Sequence, residues 1–113
     1  MGSIVQADKE QSNNQCLCVL IDADNAAPSR MGEVLDQIAR LGVAATRRAH
    51  GRAVGAGKWA RAIGKYGITP VTTHNNIAGK NSTDLAMIVD GMDIFRDGGH
   101  GGFCIVSLSG AGL

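Results

Sequence analysis

A short apolar run that ends abruptly in acidic residues constrains the fold of this chain more than any other feature. Residues 16–21 read CLCVLI, and residues 22–25 directly after them read DADN. An apolar run of this length, rich in Val, Ile and Leu, is typical of a strand that is buried on both faces of a parallel sheet. Carboxylates are poor strand formers, and clustered carboxylates repel each other unless a cation lies among them. The strand therefore ends either in a polar turn that caps a helix or in half of a metal site.

Helical and strand-like patterns alternate along the rest of the chain. The spacing of apolar residues predicts helices over residues 28–41, 58–66 and 83–95, and apolar runs predict strands over residues 43–49, 68–73 and 101–109. The third helix is apolar around most of its circumference and is predicted to be largely buried. Pro70, early in the third strand, predicts an edge position or a strand start. The order βαβαβαβ favours a three-layer α/β/α domain with a mainly parallel sheet and right-handed crossovers.

Length and composition indicate a single intracellular domain. A chain of 113 residues with 44% hydrophobic residues can bury one core. Residues 1–15 lack the apolar core and basic start of a signal peptide and are predicted to be a disordered polar lead. No apolar run approaches the roughly 18–20 residues of a membrane span. The three cysteines show no CxxC spacing and are expected to be reduced. We therefore expect a cytoplasmic protein without a membrane partner.

The basic residues of this chain are concentrated in its middle. The net charge is only +1, yet no acidic residue lies between Asp36 and Asp84, and this window holds eight of the eleven Lys and Arg residues. The segregation favours a basic surface for an anionic partner, with nucleic acid as the first candidate, although a solvated face is the ordinary meaning of a charge cluster. The residues predicted to contact nucleic acid are Arg47, Arg48, His50, Arg52, Lys58 and Lys80.

Acidic residues from distant parts of the sequence are predicted to meet at one edge of the sheet. The carboxyl ends of parallel strands share an edge, and ligands bind there in sheets of this kind. Asp22, Asp24 and Asn25 follow the first strand, and Asp84 lies in the first turn of the helix after the third strand. Carboxylate and amide oxygens suit Mg²⁺ or Mn²⁺. A metal site and a polar turn with a helix cap both remain open for the DADN segment.

Two other motif interpretations are weaker. The segment GAGKW at residues 55–59 lacks the first glycine and the Ser or Thr that a phosphate-binding Walker loop requires. The DAD pattern after the first strand is compatible with phosphatases of the haloacid dehalogenase class, in which an aspartate is the nucleophile. No clear threonine and lysine motifs of that class follow. The phosphatase is therefore kept as the weaker alternative.

Four motifs carry a resemblance to a known family. They are IDADN, RRAHG, GKNSTD and FCIVS, and they occur in this order. Over residues 17–107 the chain resembles the NYN domain family, which consists of PIN-like nucleases and includes the LabA-type branch. The resemblance implies a PIN-like (Rossmannoid) fold and Mg²⁺- or Mn²⁺-dependent hydrolysis of RNA phosphodiester bonds. The expected partner is RNA, in single-stranded form.

The resemblance also implies roles for individual residues. By position, Asp22, Asn25 and Asp84 match the family's catalytic residues, and Asp22 and Asp84 match its metal ligands. Asp24 and Asp90 are candidates for supporting roles outside the direct ligand set. Asp90 stands six residues after Asp84, about 120° away around a helix, so the two cannot simply share an ion. Water is expected to attack the phosphorus in line, without a covalent enzyme intermediate.

The residues after the last strand depart from the family pattern. After FCIVS the family typically continues SDSDF, whose carboxylates complete the metal site, whereas residues 108–113 read LSGAGL. The domain over residues 16–113 is therefore expected to be incomplete at its carboxyl end, and cleavage to be slow or absent. The alternative function is a catalytically inactive, RNA-binding remnant of a nuclease. An incomplete sheet or helix layer also leaves apolar surface uncovered, which predicts self-association.

Overall fold

Strands and helices follow one another in the predicted alternation after residue 15. The computed structural model of the protein describes residues 3–8, 15–52, 54–55, 57–73 and 82–107, with the backbone alone at 3–8 and 82–84. Its strands are β1 (Ser3–Asp8), β2 (Cys16–Asp22), β3 (Val43–Gly51), β4 (Thr69–Thr72) and β5 (Gly102–Ser107). Its helices are α1 (Met31–Ala39), α2 (Ala60–Tyr66) and α3 (Ser82–Arg96). Short 3₁₀ turns cover Ala23–Asn25, Pro28–Arg30 and Gly57–Trp59.

The strands form one sheet in the order β1-β5-β2-β3-β4. Strands β2 to β5 run parallel to one another, so the prediction of a mainly parallel sheet is confirmed. The central position of β2 explains its composition, because a strand with neighbours on both sides and helices on both faces has no exposed side chain. Pro70 lies in β4, the last strand in the order. Proline has no backbone N–H to donate, and an edge strand tolerates this because one side of it has no neighbouring strand.

Strand β1 differs from what the sequence predicts. It lies within residues 1–15, so the prediction of a disordered lead is wrong for Ser3–Asp8. Its backbone pairs antiparallel with β5, from Ser3 opposite Ser107 to Asp8 opposite Gly102. Without it, β5 would present a free edge of N–H and C=O groups, which the added strand satisfies. Residues 1–2 and 9–14 lie outside the described part of the chain.

Helices cover both faces of the sheet, which confirms the three-layer architecture. Alternate residues of β2 point to opposite faces. Leu17, Val19 and Ile21 belong to the larger core beneath α1 and α2, and Cys18 and Leu20 belong to the smaller core beneath α3. The helices are bounded much as the sequence predicts: α2, for example, ends at a C-terminal glycine with a positive φ of 61°.

Helix α3 is less buried than its composition predicts. Met87 is 4% exposed, whereas Leu85, Val89 and Met92 are 58%, 58% and 59% exposed. The prediction of a largely buried helix is therefore wrong for its outer side. Only one stripe of α3 faces the sheet. The packing there is close at Gly91, where an added Cβ would lie 2.5 Å from Leu20 Cδ1. None of the described elements covers the opposite stripe.

None of the helices in the described ranges is long and apolar enough to cross a membrane. All three cysteines are free thiols, as expected.

Candidate functional site

The buried carboxylate of Asp22 marks the carboxyl edge of the sheet. Asp22 is the last residue of the central strand β2 and is only 3% exposed. Its Oδ2 accepts a hydrogen bond of 3.0 Å from the side-chain amide of Asn25. An ionised carboxylate is costly to bury unless hydrogen bonds or cations compensate it. The fold thus keeps a buried carboxyl group at the position where parallel sheets bind their ligands.

The turn that follows Asp22 is fixed from two sides. The side chain of Asp24 is exposed, and its Oδ1 accepts a 3.2 Å hydrogen bond from the backbone N–H of Arg52 after β3. Trp59, 3% exposed, donates its indole N–H to the backbone oxygen of Ala23 at 3.1 Å. The sequence shows Trp59 only as an apolar helix residue and gives no signal for this bond. Together the two contacts hold the DADN segment against the ends of β3 and α2.

Helix α3 runs from the carboxyl edge of the sheet toward the amino edge. Asp90, near its middle, contacts His50 at the carboxyl end of β3. Phe95, in its last turn, packs edge-on against Phe103 at the start of β5, with ring centroids 5.9 Å apart. The first turn of α3 therefore projects beyond Asp90 on the carboxyl side.

This direction places the backbone of Asp84 at the same edge as Asp22. Asp84 precedes Asp90 by six residues, which is about 9 Å along a helix axis. Asp22 and His50 are direct register partners in β2 and β3, so both mark that edge. The convergence of the Asp22 and Asp84 carboxylates stays a prediction. The side chain of Asp84 lies outside the described residues.

Arg48, His50 and Asp90 form one hydrogen-bonded cluster between β3 and α3. The Arg48 guanidinium donates to both Asp90 carboxylate oxygens at 3.0 Å. His50 Nε2 lies 2.8 Å from Asp90 Oδ2. The side chain of His50 is 0% exposed, whereas those of Arg48 and Asp90 are 35% and 23% exposed. The cluster ties the middle of α3 to the sheet and so fixes where the first turn of α3 lies.

This cluster corrects the prediction that His50 contacts nucleic acid. The side chain is fully buried because alternation along β3 directs it to the face that α3 covers. Arg47 and Arg48 do not share a surface either. Arg47 points to the other face, where its guanidinium donates to the backbone oxygens of Ala44 and Tyr66 at 3.0 and 2.6 Å. The described contacts of both arginines are thus with the protein itself.

The remaining predicted nucleic-acid contacts stay accessible or lie outside the described ranges. Arg52 is exposed directly after β3, and Lys58 is exposed in the turn that leads into α2. Both follow the carboxyl end of a strand and flank the acidic edge. Lys80 lies outside the described residues.

Cys18 lies beneath the cluster of Arg48, His50 and Asp90. Burial raises the pKa of its thiol above the ordinary value of 9.0. The Asp90 carboxylate raises this pKa further, and the Arg48 guanidinium partly offsets the effect. A thiol that stays protonated near neutral pH is a poor nucleophile. Cys18 is therefore a packing residue of the smaller core.

Asp22 and Asn25 are the oxygen-bearing side chains to be weighed as metal ligands at this edge. No group of three or more His, Cys, Asp or Glu side chains that could hold an ion occurs within the described ranges. Asp22 contributes one carboxylate and Asn25 one amide oxygen. These are hard oxygen donors of the kind that Mg²⁺ and Mn²⁺ prefer. The donor chemistry fits such an ion, and the fit requires the Asp84 carboxylate as well.

Comparison with known proteins agrees with this architecture. The family model of the NYN domain matches residues 17–110, which is most of the chain. No curated protein and no solved structure gives a significant match. The matched range begins in the central strand β2 and includes α3 and β5, so it contains every element that forms the acidic edge. The chain therefore belongs to the NYN domain family.

Proposed function

We propose that this chain is a metal-dependent nuclease domain that acts on RNA at the carboxyl edge of its sheet. NYN domains are PIN-like and point to a nuclease family. The observation that carries the proposal is the Asp22 carboxylate, which is 3% exposed at the end of the central strand. Buried titratable groups at a ligand-binding edge are frequent components of active sites.

Asp22 and Asp84 are the residues that would hold a Mg²⁺ or Mn²⁺ ion, with the amide oxygen of Asn25 as a further donor. The proposal is supported by the oxygen chemistry of these groups and by the position of the first turn of α3. When bound, the ion would polarise the scissile phosphate and offset the negative charge that develops on it.

The other residues at this edge have supporting roles in the proposal. The Asn25 amide N–H holds Asp22 Oδ2 and so orients the carboxylate. Asp24 and Trp59 fix the turn that carries both residues. Exposed Arg52 is suited to hold the RNA backbone beside the reacting phosphate. Asp90 acts at a distance: through Arg48 and His50 it sets the position of α3.

A second function is favoured by the sequence after β5. Residues 108–112 read LSGAG and carry no carboxylate, so they add no negative charge to the edge. Mg²⁺ loses its hydration waters reluctantly and depends on such charge for binding. The second candidate is therefore an RNA-binding domain with little or no cleavage activity.

An RNA cleavage assay distinguishes these functions. The substrate is a labelled single-stranded RNA, incubated with Mg²⁺ or Mn²⁺ and, separately, with a chelator. In one variant residues 108–112 are replaced by SDSDF. Asp22→Asn and Asp36→Asn are each made in the unmodified chain and in this SDSDF background. Asp36 is exposed on α1, so Asp36→Asn makes the same charge change away from the proposed site.

We expect the SDSDF variant to cleave RNA, and Asp22→Asn in that background to lower the rate by about 100-fold or more. Chelation should abolish the cleavage, and Asp36→Asn should leave it unchanged. Weak cleavage by the unmodified chain that responds to Asp22→Asn supports the nuclease. RNA binding without cleavage by the unmodified chain supports the second candidate. Equal cleavage rates for Asp22→Asn and Asp36→Asn in the SDSDF background contradict the assignment of Asp22.

Three further statements stay predictions. They are the preference for single-stranded RNA, the cytoplasmic location, and self-association through the incomplete sheet or helix layer.

A further inference from the structure

A groove of ≈ 360 Å³ lies between α2 and the turn that leads into α1. One wall consists of Pro28 and Ser29, which follow the acidic turn after β2. The other wall is one face of α2 and of the 3₁₀ turn before it, with Lys58, Arg61 and Lys65. The groove is on the α1 and α2 side of the sheet, separate from the cluster beneath α3.

The charge of this groove has a single sign. Lys58, Arg61 and Lys65 stand three and four residues apart, so they lie on the same side of the helix. All three are exposed, and none of them forms an ion pair within the described part of the chain. No acidic residue lines the groove. The three cations repel one another without internal compensation, which is typical of a surface that binds an anion.

The floor of the groove is uncharged and rigid. Ala62 is 5% exposed and belongs to the larger core. The Tyr66 hydroxyl packs so closely on α1 that a Cβ added at Gly32 would lie 2.8 Å from it. The ammonium group of Lys65 lies 5.4 Å from the centre of the Tyr66 ring. A groove with a neutral floor and one cationic wall suits an extended polyanion.

The groove is continuous with the acidic edge. Lys58 lies in the turn at the start of α2, next to Trp59, which bonds the DADN turn. Helix α2 then leads back toward the amino edge of the sheet. The seven residue-to-residue steps from Lys58 to Lys65 cover about 10 Å along a helix axis. A strand bound at the edge can therefore continue along this line of cations.

We propose that this groove binds the phosphate backbone of single-stranded RNA outside the cleaved segment, with Arg61 and Lys65 as contacts in addition to Lys58. The inference rests on the proposed function in one respect, that RNA is the partner. It does not depend on cleavage or on a bound metal ion.

The test measures RNA affinity as a function of salt in the presence of a chelator, so that cleavage and metal binding are both excluded. A labelled single-stranded RNA of about 12 nucleotides is long enough to cover the edge and the groove. The variant is Arg61→Gln with Lys65→Gln. The matched control is Arg40→Gln with Arg96→Gln, which removes the same charge from exposed positions outside the groove.

Each phosphate contact contributes about 0.7 to the slope of log affinity against log salt for a single strand. The groove variant should therefore reduce the slope by about 1.4. If the two side chains contribute nothing to affinity near 1 M salt, this change in slope corresponds to about 25-fold weaker binding near 0.1 M salt. The control variant should change affinity by less than about 2-fold. Thermal unfolding of both variants checks that the fold is intact.

Equal slopes for the groove variant and the control overturn the inference and leave the nuclease proposal standing. Absence of RNA binding by the unmodified chain overturns it as well. Loss of binding in the groove variant supports it even when no variant cleaves RNA, so the two proposals fail separately. Vesicles of phosphatidylcholine and phosphatidylserine provide a second probe. If the groove variant loses binding to the vesicles but binds RNA as the control does, the inference is also overturned.

Discussion

Removal of the Asp90 carboxylate tests the cluster that positions α3. Asp90→Ala deletes the acceptor of two neighbours, Arg48 and His50. The matched control is Asp93→Ala in the same helix, where Asp93 is 62% exposed and lies 3.4 Å from Arg96. Because both substitutions change Asp to Ala within α3, the gain in helix propensity cancels in the comparison.

The expected effect follows from the burial of the two lost contacts. The Arg48 side chain is 35% exposed, so its ion pair is partly screened and contributes about 0.5–1 kcal/mol. His50 is fully buried, and leaving its Nε2 without a partner costs about 1–3 kcal/mol. Asp90→Ala should therefore lower the free energy of unfolding by about 1.5–4 kcal/mol more than Asp93→Ala.

Urea denaturation followed by circular dichroism measures this difference. In thermal unfolding it corresponds to a Tm about 6–16 °C lower than that of Asp93→Ala. Asp90→Asn, which keeps one acceptor oxygen, should fall between the unmodified protein and Asp90→Ala. A difference below about 0.5 kcal/mol between Asp90→Ala and Asp93→Ala refutes the reasoning, since it means that the cluster contributes no more than an exposed pair.

Three further predictions concern the glycines of α2, the reactivity of the thiols and the pH dependence of stability. Gly67→Ala should destabilise the protein by about 1–2 kcal/mol, because Gly67 has a φ of 61° at the end of α2. Gly64→Ala, at an open helical position, should stabilise the protein by up to about 1 kcal/mol. If both variants shift the urea midpoint of unfolding in the same direction, the role of Gly67 as the left-handed end of α2 is contradicted. Near neutral pH, a thiol reagent should modify partly exposed Cys16 and leave buried Cys18 intact until the protein unfolds, as mass spectrometry of the labelled peptides can show. Because the pKa of Cys18 is raised above 9.0, its contribution to stability is complete below that pH and is lost as the pH rises through the folded-state pKa. Between about pH 8 and pH 10, the free energy of unfolding should therefore fall less for Cys18→Ala than for the unmodified protein. An equal fall in both proteins contradicts a raised pKa of Cys18.

The sequence by itself determined the part of the fold that depends on local pattern. The apolar run of β2, the alternation of periodicities and the helix-ending Gly67 are properties of short segments, and each is found where the pattern predicts it. The position of Asp22 at the carboxyl edge follows from the same pattern, because parallel strands joined by helices must end on one side. The edge position of Pro70 follows from its missing N–H.

Tertiary structure decided which side chains meet. Arg47, Arg48 and His50 are close in sequence, but the face that each one points to, and the element that covers that face, depend on the packing of helices from distant segments. Only the docking of α3 buries His50 against Asp90, and these two residues are 40 positions apart in the chain. The pairing of β1 with β5 is equally non-local. Contacts between distant segments leave no periodic signal in either segment, so these features could be read only from the folded chain.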